Sequence, residues 1–172
     1  MKSQPATQAR RAPGKSSQGF SLIELLIVVA IILIIAAIAI PNFLRSRMAA
    51  NEAAAVTACK KIVTAEVTYS TTYGQGFSQT LDQLGPPPAG SLPSANAADF
   101  LDSVITSGQK HGYIFTYAPI DSNGDGIPEA FTVNADPALP GSSGNRHFYI
   151  DQSGVPRQKT GGPASAADPP IG

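Results

Sequence analysis

The chain has 172 residues, with twelve basic and twelve acidic side chains and so no formal net charge. That length leaves room for about one globular core once a leader and a membrane segment are set aside. Lys2, Arg10, Arg11 and Lys15 all precede residue 20; the eight basic and twelve acidic groups behind them form no Lys/Arg cluster, which argues against nucleic acid as a partner.

Residues 1–19 are polar, basic and interrupted by Pro and Gly, and read as a leader. Residues 20–40, FSLIELLIVVAIILIIAAIAI, carry a single charge over 21 positions. As a helix this run spans about 30 Å, enough to cross a bilayer. The basic residues lie mostly on its N-terminal side, which places the start of the chain in the cytoplasm and everything after residue 41 outside it. Glu24 is the exception within the run. A carboxylate near the bilayer centre costs about 2.5 kcal/mol or more, less towards an end, and needs a partner. Cleavage after Gly19 would supply one, because Phe20 would then carry a free ammonium group that a neighbouring chain's Glu24 could neutralise.

Pro41 predicts a kink or local break between about Ala37 and Pro41. From Asn42 to Tyr73 the chain lacks Gly and Pro, is alanine-rich, and sets Val56, Cys59, Ile62, Val63 and Val67 at helical spacing, which predicts an amphipathic second half. Cys59, the only cysteine, cannot form an intrachain disulfide and reads as a small buried residue. Residues 74–111 read as loop, with Pro and Gly dense from Leu84 to Asn96 and a short amphipathic helix over about 97–106. Alternating segments at Tyr113–Ala118, Ala130–Asn134 and His147–Asp151, with Val155–Gln158 as a candidate fourth, predict an antiparallel meander within residues 112–160. Either Tyr113, Phe115 and Tyr117 or Ile114, Thr116 and Ala118 cover the helix. Residues 161–172, poor in large apolar side chains, are expected to be disordered.

Asp121, Asn123, Asp125 and Glu129 place oxygens around glycines in the manner of a calcium-wrapping loop, although Thr132 stands where the bidentate Glu of a complete site belongs. The competing reading is a turn between two strands. His111 and His147 have no partner at ligand spacing and read as ordinary edge residues. No nucleophile elbow, phosphate loop, zinc spacing or dinucleotide fingerprint occurs, so an enzyme has no residues to rest on and no cofactor other than calcium is implied.

Gly19-Phe20-Ser21-Leu22-Ile23-Glu24-Leu25, followed by the apolar run and Pro41-Asn42, resembles the cleavage and methylation motif of type IV prepilins. The resemblance implies cleavage after Gly19 and N-methylation of Phe20 by a prepilin peptidase. Glu24 and Pro41 take the assembly positions. The fold implied is an α+β lollipop, a long N-terminal helix packed on a three- to four-stranded antiparallel sheet. The function implied is a structural subunit of a type IV pilus, polymerised with its own kind by inner-membrane assembly machinery and displayed on the surface. Two alternatives stand beside it. One is a pseudopilin of a type II secretion system, disfavoured by the lack of tryptophan. The other is a monomeric anchored protein that binds a ligand through loops at 84–96 and 136–146.

Overall fold

The computed structural model describes residues 19–171; all of the leader expected over residues 1–19 except Gly19, and Gly172, lie outside the described residues. One helix, α1 (Leu22–Tyr73), runs for 52 residues. The chain divides at Pro41 into a unit ending at Ile40 and a unit of residues 41–172.

In the first unit the helix is apolar on every side, and its large side chains are exposed: Leu33 and Ile38 retain 63% and 66% of their surface. Among the described residues this is the one helix long and apolar enough to cross a membrane. Of the kink or local break expected between about Ala37 and Pro41, the break is not found, because α1 continues through Pro41. A proline withdraws a single N–H from the ladder, and the strong helix formers on both sides carry the remaining turns.

The second unit places residues 41–73 of α1 against a sheet and two short helical segments. These are a 3-10 turn at Leu81–Leu84 and α2 at Ser103–Thr106, capped by the Asp102 carboxylate accepting from the Ile105 N–H. The sheet is a meander of five antiparallel strands: β1 (Gln109–Lys110), β2 (Tyr113–Ile120), β3 (Ala130–Pro137), β4 (Arg146–Asp151) and β5 (Arg157–Thr160). Sequence reading missed β1, whose two residues are too few to show alternation.

Register decides which face of the sheet is buried. Phe115 lies opposite Ala135, Tyr113 opposite Pro137, and Phe148 opposite Ala135 from the other side. Tyr113, Phe115, Phe131, Val133, Ala135, Phe148 and Ile150 therefore form one buried face, and Ile114, Thr116 and Ala118 face out. The stripe that α1 contributes is Glu52, Ala55, Ala58, Cys59, Ile62, Ala65, Glu66 and Tyr69. Cys59 and Ile62 belong to it, Val56 and Val63 flank it, but Val67 is 50% exposed. Hydrophobicity alone points to the valines, whereas the buried line includes Ala55, Ala58 and Ala65, whose small side chains let the sheet approach closely.

The amphipathic helix expected over 97–106 shrinks to α2. Ala98, Phe100 and Leu101 instead donate backbone N–H groups to Gln83 O and Leu84 O at 2.8–2.9 Å. Leu101 is buried by an extended segment rather than by a helical face.

The tail expected to be disordered is docked. Gln158 N donates to Pro169 O at 3.1 Å and Ile171 N to Pro156 O at 2.8 Å, so the tail covers the free edge of β5. Asn134 Nδ2 donates to Ala164 O and Arg157 Nη1 to Asp168 O, each at 2.8 Å. Composition hid this, since backbone hydrogen bonds and small buried side chains such as Ala164 need no large apolar residue. Removing residues 161–172 from the full chain should lower the cooperative melting temperature by about 5–10 °C, from the loss of several net hydrogen bonds. Differential scanning calorimetry of the detergent-solubilised protein checks this, and an unchanged transition would count against the docking.

Candidate functional site

The residues that the resemblance singles out, Gly19, Phe20 and Glu24, lie where α1 begins. Ser21 precedes the first helical residue and Glu24 stands three positions on, the spacing of a capping box. Glu24 Oε2 lies 3.4 Å from the Ser21 N–H, a long contact that supplies half of such a box. The carboxylate sits at the positive end of the helix dipole, where a negative charge is favoured. Around it the side chains of Phe20, Leu22, Ile23 and Leu25 are exposed. Gly19 has open space where a Cβ would lie, so crowding among the described residues does not explain a glycine at that position. The exposed segment thus offers one acid, an adjoining accessible peptide bond and a helix whose apolar surface none of the described residues covers.

Two buried carboxylates that sequence reading passed over hold the second unit together. Glu52 accepts from Arg146 Nε at 2.7 Å and from the N–H groups of Asn145 and Arg146 at 2.8 and 3.2 Å. Burial works to raise its pKa, but the Asn145 N–H and the Arg146 guanidinium outweigh burial and hold the carboxyl below its ordinary value. This clamp ties α1 to the start of β4. Glu66, fully buried, accepts from Ser78 N and Ser78 Oγ at 2.9 and 2.6 Å. Tyr117 of β2 closes the group by donating its hydroxyl to Ser78 O at 2.7 Å. Here burial wins, and the Glu66 carboxyl is pushed above its usual range despite the donors around it. A signal for both was present: Glu52 and Glu66 fall at helical spacing on the line of Ala55, Cys59, Ile62 and Tyr69.

The Asp121–Glu129 segment connects β2 to β3. Carboxylate oxygens of Asp121, Asp125 and Glu129 come within 4.8 Å of one another, all exposed. The turn is already braced by its own backbone, with Gly124 N and Gly126 N donating to Asp121 at 2.7 and 2.8 Å and Ser122 N donating to Glu129 at 2.8 Å. The Gly126 and Gly124 N–H groups, Gly126 first, keep the Asp121 carboxyl below its ordinary value. Asn123 braces the same turn: its Nδ2 donates to Asp125 at 3.1 Å and its Oδ1 accepts from the Asp125 N–H at 2.8 Å. The loop rests on the turn after α1 through Phe77 N donating to Pro128 O. Gly76, at φ 71°, is required there, since a Cβ would come within 2.5 Å of Pro128 O.

His147 Nδ1 lies 2.5 Å from Asp136 Oδ1 on the outer face of the sheet, and His111 lines an open hollow beside Arg47 and Ser143. The structure does not bring the two histidines into a shared ligand set among the described residues. Cys59 is buried, and burial pushes its thiol up to about 12, the behaviour of an inert core residue.

The clamps lead to two expected outcomes. Arg146→Ala leaves Glu52 with backbone donors alone and should destabilise the fold by about 2–3 kcal/mol in urea unfolding. For Glu66 the folded pKa lies above the unfolded one. Its favourable contribution is complete below the pKa of the unfolded carboxyl and is lost as pH rises through the folded value. Glu66→Gln should therefore gain stability relative to the parent as pH is raised from about 4 to 8, a trend that paired melting curves would reveal and a flat difference would contradict.

Comparison with known proteins agrees with this geometry. Residues 14–40 match the family model described as the prokaryotic N-terminal methylation motif. The chain is 49% identical over 53 residues to the type IV major pilin protein PilA of Myxococcus xanthus, covering 31% of this chain and 24% of that protein. It is 58% identical over 38 residues to the type IV wide pilus major component PilA4 of Thermus thermophilus, covering 22% of this chain and 29% of that protein. The chain thus aligns with less than a third of the length of each of these curated relatives. No solved structure matches.

Proposed function

We propose that this type IV pilin-like, non-enzymatic chain is a structural subunit of a type IV pilus. The observation that carries the reading is the Phe20–Ile40 segment, an apolar helical surface without cover among the described residues and with a single carboxylate four positions from Phe20. Such a surface has two environments open to it, the bilayer before assembly and other copies of the same helix afterwards. Prepilin peptidase cuts after Gly19 and methylates Phe20. The subunit waits in the inner membrane with its N-terminus cytoplasmic. Inner-membrane assembly machinery then extracts it into a homopolymer in which Glu24 meets the Phe20 amine of a neighbour, and the sheet units form the outside. That the two relatives are named as pilus components supports a surface pilus over a secretion pseudopilus.

The test separates processing from polymerisation. In cells with Glu24→Ala as the sole copy, the chain should still be cut to begin at Phe20, yet sheared filaments should fall at least tenfold, about 1.4 kcal/mol of assembly free energy. Filaments at the parental level would contradict charge pairing. A bulky replacement of Gly19 should act one step earlier and leave the uncut chain in the membrane.

A subsidiary proposal concerns the Asp121–Glu129 turn. Its three converging carboxylates support calcium binding, for which the expected outcome is a higher melting temperature of the full chain in millimolar calcium, reversed by a chelator. No response to either leaves the segment a backbone-braced turn.

A further inference from the structure

Charge in the second unit is sorted by element. From Pro41 to Tyr73, α1 carries four cations, Arg45, Arg47, Lys60 and Lys61, and all four are exposed. Its two acids, Glu52 and Glu66, are both buried. Beyond Tyr73 the balance reverses, with nine carboxylates against four cations. Two of those four are already committed, Lys110 to Asp102 and Arg146 to Glu52. The helix therefore shows solvent only positive charge, while the remainder of the unit is acidic.

Lys60 and Lys61 form part of one wall of an open groove of about 620 Å³, together with Thr57, Thr64 and Thr68. Asp99 and Asp102 line the groove as well, but among the described residues neither forms an ion pair with the lysines, and Asp102 is held by Lys110 at 2.8 Å. The largest exposed group of converging acids, Asp121, Asp125 and Glu129, has no cation in ion-pair reach among the described residues. That loop is fixed beside the end of α1, through Phe77 N to Pro128 O at 2.9 Å and Gln79 Nε2 to Gly126 O at 2.6 Å. Lys60 and Lys61 precede Tyr73 by 13 and 12 residues, which sets them about 20 Å lower along the helix.

We infer that the cationic wall of α1 at Lys60 and Lys61 in one copy receives the Asp121–Glu129 turn of a second copy. Two parallel copies staggered by about 20 Å along their helices bring these groups to one level. The small threonines leave room for the turn to approach, and opposite charge on unlike surfaces gives a head-to-tail contact that propagates instead of closing into a dimer. The contact rests on the pilus-subunit reading and assigns it a register between sheet units that the apolar anchors, smooth and uncharged after Glu24, do not themselves specify.

Charge exchange tests it in cells where each variant is the sole copy. Lys60→Glu with Lys61→Glu, and separately Asp125→Lys with Glu129→Lys, should each reduce sheared filaments several-fold while the processed chain persists in the membrane. All four changes in one chain should restore filaments. Unimpaired assembly by either reversed pair, or a loss that the fourfold exchange fails to repair, would overturn the contact. Should a reversed chain not accumulate, chains bearing Lys61→Cys and Asp125→Cys are co-assembled instead; disulfide-linked pairs in the filaments support the contact and their absence overturns it. A parent that forms no filaments contradicts the subunit reading, and the contact falls with it.

Discussion

The structure depends on one constraint: α1 is a single helix whose two parts must be covered by different things. From Pro41 onward, the line of Ala55, Cys59, Ile62 and Tyr69 is narrow and small-sided, and the sheet covers it. Before Pro41 the apolar residues go all the way round, and one face of a sheet cannot cover a cylinder. Burial of each such leucine or isoleucine is worth about 1.5–3 kcal/mol, so leaving the segment in water is untenable. Lipid and like helices remain. On the proposed reading Glu24 distinguishes between them, because a lone carboxylate is tolerable near the membrane surface and becomes favourable when an ammonium group stands opposite.

The second unit is fastened from within. Its two hidden acids fasten α1 at points four turns apart, Glu52 to the start of β4 and Glu66 to Ser78, beside Tyr117 of β2. The two clamps differ in kind. Glu52 faces a guanidinium that helps hold its carboxyl below the ordinary value, whereas Glu66 has only neutral donors and burial raises its carboxyl above it. Polar groups of this sort fix the register of helix on sheet more narrowly than alanine packing does, since a slip of one residue would strand a buried carboxylate. The docked tail has a related effect at the far side, occupying the edge of β5 that would otherwise be free to pair with another strand.

Long, strongly patterned features were legible in the sequence. The apolar run, the acid at Glu24 and the alternation of β2, β3 and β4 all follow from periods that a reader can count, and the α+β class follows from them. Shorter features depended on contacts that no local pattern encodes. Ala98, Phe100 and Leu101 lie in a stretch with helical spacing but donate their N–H groups to Gln83 and Leu84, β1 is two residues long, and the tail is held largely by hydrogen bonds to its backbone. The same applies to the clamps. Glu52 and Glu66 lay on the correct helical line, yet only the partners Arg146 and Ser78, 94 and 12 residues away, reveal why acids stand in an apolar stripe. In the turn after β2, spacing alone singles out Asp121, Asp125 and Glu129; the structure sets their oxygens within 4.8 Å of one another and shows the Asp121 carboxylate already accepting from the Gly124 and Gly126 N–H groups.

A filament subunit and a lone anchored protein would share every fold feature described above, and differ in what becomes of residues 19–24. The most direct measurement is the intact mass and N-terminal sequence of this chain in filaments sheared from the surface of its native host. A chain that begins at Phe20 and carries one added methyl group in that fraction is the result predicted. An uncut chain, or a processed chain confined to cell envelopes with none in the sheared material, would contradict the account.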